Sequence, residues 1–87
     1  MLRTMTNDQY TKRALALTAN AYTDLKGETA DPTDFYVVWF CKTLGNWKAL
    51  VSTDLKDGLY WEVTHNGAKA ETYIDTYNKV RNKTVKD

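Results

Sequence analysis

Residues 35–65 read FYVVWFCKTLGNWKALVSTDLKDGLYWEVTH, and the reading of this stretch decides the fold. Residues 35–44 are a nearly continuous run of β-branched and aromatic side chains, the pattern of a strand covered on both faces and therefore central in its sheet. Gly45-Asn46 predicts a tight turn into a second strand over residues 47–53. Residues 54–58 predict a looser turn into a third strand over residues 59–65. The product is a three-stranded antiparallel meander. Because side chains alternate along a strand, Phe35, Val37, Trp39 and Cys41 are expected on one face of the first strand, with Tyr36, Val38, Phe40 and Lys42 on the other. In the third strand Leu59, Trp61 and Val63 oppose Tyr60, Glu62 and Thr64. Tyr36, Phe40 and Tyr60 then form an aromatic surface on the second face of the sheet, unless the C-terminal tail covers it.

Before this stretch, Tyr10, Ala14, Leu17, Ala21 and Leu25 recur at helical spacing, flanked by Thr18 and Tyr22, which predicts an amphipathic helix over residues 7–26. Thr6 followed three residues later by Gln9 fits a capping box, Asp8 suits the positive end of the helix dipole, and Gly27 supplies a left-handed stop. Residues 28–34, ETADPTD, hold the only proline and read as a solvated turn. After the meander, Asn66-Gly67 permits either another hairpin or a helix. Ala70, Tyr73, Ile74, Tyr77 and Val80 fall on one helical stripe, with Glu71, Asp75, Lys79 and Lys83 opposite, so the periodicity predicts a C-terminal helix over residues 68–82, an edge strand at residues 71–74 being the other possibility. The expected fold is α+β in the order α-β-β-β-α, with both helices packed on one face of the sheet. Residues 1–87 are expected to form a single domain, with 1–6 and 83–87 as frayed tails.

Composition excludes several function classes. Eighty-seven residues suffice for one domain, and 43% hydrophobic with 26% charged residues is the balance of an ordinary globular chain rather than a disordered one. Twelve Lys and Arg against eleven Asp and Glu leave +1, so no strong overall field steers the chain to nucleic acid. The single cysteine, Cys41, cannot form an internal disulfide, which argues for the cytoplasm. The opening residues lack the apolar stretch of a signal peptide, and no apolar run is long enough to span a membrane.

Catalytic chemistry finds little to stand on. Metal binding needs converging Cys, His or carboxylates, whereas Cys41 and His65 belong to different strands and no CxxC or HxxxH spacing occurs. Nucleophilic catalysis would need Cys41 or Ser52 beside a base, and the lone histidine sits at a strand end. Glu62 would be a useful acid if buried, but an exposed pairing with Lys48 across the strands suits ordinary sheet faces better. The four glycines each stand singly at an element boundary, so no phosphate-cradling loop is present. No enzyme, cofactor, metal or small-molecule substrate is therefore expected. A basic cluster at Lys79, Arg81 and Lys83 offers an alternative, a nucleic-acid-binding module with a basic C-terminal helix and exposed sheet aromatics. The helix, three-strand, helix order resembles that of double-stranded-RNA-binding domains, yet the start of the final helix reads AKAETY and offers only Lys69 for phosphates.

Over residues 34–82 the chain resembles a family of small uncharacterised phage and prophage proteins from Gram-positive bacteria. The motifs that carry the likeness are YVVW at residues 36–39, CKTL at 41–44, WKAL at 47–50, an aromatic arm ending in EVT at 58–64, Asn66-Gly67, and ETYIDTY at 71–77. The resemblance implies a small accessory viral protein acting in the cytoplasm of the bacterial host. Together with the missing catalytic constellation, it leads to the expectation of a non-enzymatic interaction module, a homodimer or an inhibitor of a host or defence protein. Tyr36, Phe40, Lys42 and Tyr60 are the expected contacts.

Overall fold

The computed structural model of the chain describes residues 5–86. A single long helix, α1 (Asn7–Lys26), is followed by a 3-10 turn at Pro32–Asp34 and four strands, β1 (Phe35–Thr43), β2 (Asn46–Thr53), β3 (Leu59–Asn66) and β4 (Glu71–Asn78). The strands pair antiparallel in the order β1-β2-β3-β4, and α1 covers one face of the sheet.

Both ends of α1 are set by its flanking residues. The Thr6 hydroxyl accepts from the Gln9 N–H at 3.2 Å while the Gln9 side chain accepts from the Thr6 N–H at 2.8 Å, closing the capping box. Gly27 adopts the left-handed region at φ 72° and donates its N–H to the Thr23 carbonyl at 2.8 Å. Ala14, Thr18, Ala19 and Tyr22 form the buried stripe. Three of these are small, which lets the helix backbone approach the sheet closely. Thr18 keeps its hydroxyl bonded to the Ala14 carbonyl at 2.8 Å, so that buried oxygen is paired. Leu25, expected in the stripe, is mostly exposed.

The expected C-terminal helix is not formed. Residues 71–78 are β4, paired with β3 over eight successive positions from Asn66↔Glu71 to Leu59↔Asn78. The helical stripe through Ala70, Tyr73, Ile74 and Tyr77 was a coincidence of spacing. Thr72, Tyr73, Ile74, Thr76 and Tyr77 are strand-forming residues, and Ala70 sits at φ 52° in the turn, a conformation that cannot continue into a right-handed helix. Asn66-Gly67 therefore begins a hairpin. Beyond Asn78 the chain has no regular structure through residue 86; residues 1–4 and 87 of the expected tails lie outside the described residues.

Two other expectations are revised. β1 is an edge strand rather than a central one, because strands joined by hairpins lie beside their chain neighbours and leave the first with one partner. Its alternation also breaks. Val37 pairs with Val51 but Trp39 pairs with Leu50, so Val38 is an extra residue forming a β-bulge. From Trp39 onward every side chain of β1 points to the face opposite the one that simple alternation assigns.

The two hairpin tips at one end of the sheet touch. The Gly67 N–H donates to the Asn46 side chain at 2.9 Å, and a β-carbon on Gly67 would collide with the Gly45 carbonyl. Only glycine fits there.

Candidate interaction surface

Strand register sorts the side chains into two faces. Toward α1 point Phe35, Val37 and Phe40 of β1, Trp47, Ala49 and Val51 of β2, Leu59, Trp61 and Val63 of β3, and Ile74 of β4. Trp61 is completely buried in an aromatic cluster, its ring 5.2 Å from Phe35 and 6.1 Å from Tyr22 in edge-to-face geometry. The other end of this face carries Tyr10, Phe40, Trp47 and His65, with His65 stacked on Trp47 at 5.6 Å and bonded to the Thr72 hydroxyl at 2.8 Å.

The second face has no layer over it among the described residues. Tyr36, Trp39, Tyr60, Tyr73 and Tyr77 lie on it, each between 37% and 51% exposed, around Leu50. The tail does not blanket them, since Val80 and Val85 are themselves 93% and 74% exposed. Tyr60 and Tyr77 are directly opposite in register and stack at 5.2 Å with 15° between planes. Near the β2–β3 loop the face deepens into a dent of about 380 Å³ lined by Val38, Leu50, Leu55 and Tyr60, with Lys56 and Lys79 beside them.

Of the residues expected to make contacts, Tyr36 and Tyr60 stand on this open face. Phe40 and Lys42 do not. The bulge at Val38 turns both toward α1, where Phe40 packs on Tyr10 and Trp47, and the Lys42 ammonium lies 5.8 Å from the centre of the Tyr10 ring and donates to the Leu44 carbonyl at 2.7 Å. The same shift delivers Trp39 to the open face. Tyr73 and Tyr77 join it because their segment is a strand. The basic cluster of Lys79, Arg81 and Lys83 lies on the irregular segment after β4, so no helix gathers these cations on one side.

The face is charged as well as aromatic. Glu62, Glu71 and Asp75 are set on it, Lys48 pairs with Glu62 at 3.4 Å, and Lys56 and Lys79 stand at the dent. Glu62 and Asp75 are directly opposite each other, an arrangement that is destabilising for like charges. Their effect is visible in Tyr77, whose hydroxyl pKa is raised by the charge of Glu62 first, then by burial and by Asp75. The Tyr73 hydroxyl donates to the Glu71 carboxylate at 2.5 Å, the main reason its pKa is raised too. On the covered side Tyr22 is raised by a hydrogen bond to Asp57, by burial and by the charge of Asp57.

Cys41 is exposed on the open face, opposite Lys48, whereas His65 belongs to the covered face opposite Trp47. Among the described residues no three His, Cys, Asp or Glu side chains converge as metal ligands, and no helix is long and apolar enough to cross a membrane.

A helix on one side of a four-stranded antiparallel meander, with aromatics and carboxylates on the other, defines a small α+β domain built around a sheet face. The chain belongs to a family of unknown function, DUF6275, whose sequence pattern spans residues 7–87. No curated protein and no solved structure matches it.

Proposed function

We propose that the chain is a non-enzymatic accessory protein of a phage or prophage that acts in the cytoplasm of a Gram-positive host by docking a protein partner on its open sheet face. The motif resemblance over residues 34–82 supports the viral setting. One observation carries the docking: five aromatic side chains and Leu50 stand in register on a sheet face that no other part of the described chain covers. Exposed apolar patches of this kind on small domains mark partner sites, and Tyr and Trp are the residues that contribute most where partners meet.

The charge pattern specifies the partner further. Crowding of Glu62 and Asp75 would be relieved by an incoming cation, so the matching surface carries aliphatic or aromatic groups together with Lys or Arg. Around Glu62 and Asp75 the same carboxylates repel phosphate, which disfavours RNA or DNA there despite the neighbouring aromatic side chains.

Tyr36→Ser, Trp39→Ser and Tyr60→Ser combined should abolish capture of a host protein from lysate, and its binding once purified, while the circular dichroism spectrum stays as in the parent. Loss of the folded spectrum would make these residues core. Salt-sensitive retention on nucleic acid that disappears with Lys79→Gln, Arg81→Gln and Lys83→Gln would overturn the protein-docking assignment.

A further inference from the structure

The two edges of the sheet are built differently. β1 carries the bulge at Val38 and the cation Lys42, devices that blunt an edge against further pairing. β4 carries none. It is regular over all eight residues, contains no proline, glycine or lysine, and its outward N–H and C=O groups meet no partner among the described residues. After Asn78 the Lys79 N–H bonds the Gly58 carbonyl at 2.7 Å, one step beyond the last pair with β3, and no later described residue pairs with the outer edge of β4.

From this edge we infer that β4 pairs antiparallel with β4 of a second copy, joining two sheets into one of eight strands about a two-fold axis at Ile74. The choice of occupant and register rests on charge. A two-fold axis perpendicular to the sheet keeps each face on its own side, so a residue pairs only with one from the same face. With Ile74 opposite Ile74, Tyr73 meets Asp75, Glu71 meets Tyr77 and Thr72 meets Thr76 across the axis. Each carboxylate faces a tyrosine, and the threonines form a favourable cross-strand pair. Sliding two residues one way sets Asp75 against Asp75; sliding two the other way sets Glu71 against Asp75. Like charges directly opposite disfavour both. The strand is thus self-complementary in one long register, the property an isologous interface requires. The edge lies beside the open face rather than within it, so pairing leaves Tyr36, Trp39 and Tyr60 free and makes their surface continuous across both copies.

Sedimentation over a wide concentration range should show a twofold rise in mass, retained when Tyr36, Trp39 and Tyr60 are replaced by serine. Register is read separately in a Cys41→Ser background. Tyr73→Cys and Asp75→Cys chains mixed and oxidised should give the covalent dimer several-fold more readily than either alone. A mass that stays monomeric throughout overturns the pairing, as does cross-linking that is equally fast for every combination. A dimer that is lost with the three serine substitutions also overturns it, because association would then run through the face and not the edge.

Discussion

The two faces of the sheet are made from the same kinds of residue, yet their side chains do different work. Trp47, Ala49, Val51, Trp61 and Val63 beneath α1 are all 4% exposed or less, whereas Trp39, Tyr36 and Tyr73 on the other side are more than 40% exposed. Adjacent residues divide between them: Ala49 is fully enclosed and Leu50, one position on, looks outward. What separates core from surface here is the single helix, because residue type alone does not. The covered face must meet α1 at close range and so alternates Trp and Val with Ala. The open face has no such limit and carries its aromatics in cross-strand rows beside charge.

Tryptophan substitution tests this division most severely. Trp61→Ala removes the centre of the Tyr22, Phe35 and Trp61 cluster and should destabilise by about 3 to 5 kcal/mol, enough to unfold most of the population of so small a domain. Trp39→Ala should stay within about 1 kcal/mol by urea denaturation. Equal losses would mean that both faces are core. Next comes size. Ala49→Leu would push α1 off the sheet at about 1 to 3 kcal/mol through overpacking, while Leu50→Ala next to it should fall well short of that. A smaller effect with the opposite sign is expected at the crowded carboxylates. Asp75→Asn removes the like charge opposite Glu62 and should stabilise by about 0.2 to 1 kcal/mol while weakening any cationic partner. A fall in the urea midpoint would show that Asp75 already has its cation within the chain.

Alkaline titration distinguishes the faces last. Tyr22, Tyr73 and Tyr77 all have raised hydroxyl pKa values, so the native state keeps these protons after the unfolded chain has released them. Stability is therefore undiminished below the ordinary tyrosine value of about 10 and falls as pH climbs from there through the raised native values. Tyr73 and Tyr77 are open to solvent and should ionise within the folded protein, whereas buried Tyr22 should ionise only with unfolding. Tyrosinate absorbance should accordingly rise in two stages, the second coinciding with loss of the near-ultraviolet dichroism of Trp61. One concerted step would remove the distinction.

The legibility of this fold in its residues depended on whether a local signal had a competitor. The Thr6–Gln9 capping box and the Gly27 stop had none, and α1 begins and ends where they place it. The meander was readable because turn residues separate three runs of strand formers, although the first turn falls at Leu44-Gly45, one position earlier than Gly45-Asn46 suggests. β4 was misread because ETYIDTYN satisfies a helical stripe and a strand alternation together. Ladder pairing with β3 and the left-handed Ala70 settled that contest, and only the second has a local origin. The density of Thr, Tyr and Ile after Asn-Gly was the available cue. The surface was half legible. Tyr36 and Tyr60 follow from alternation, but no residue in FYVVWF announces the bulge, since both parities of that run are apolar and the displaced Trp39 and Phe40 are equally suited to either side.

The contact between Gly45 and Gly67 has a bearing on how the molecule can be re-engineered or diversified. With the turn before β2 lodged against the turn after β3, that end of the sheet has no room for a side chain at Gly67. The opposite end, where residues 54–58 join β2 to β3, is held at Asp57 and Gly58 rather than turn against turn, and borders the dent on the open face. New sequence grafted into this family should accumulate there, so that length variation alters what the exposed face recognises while the closed end preserves the frame on which it is displayed.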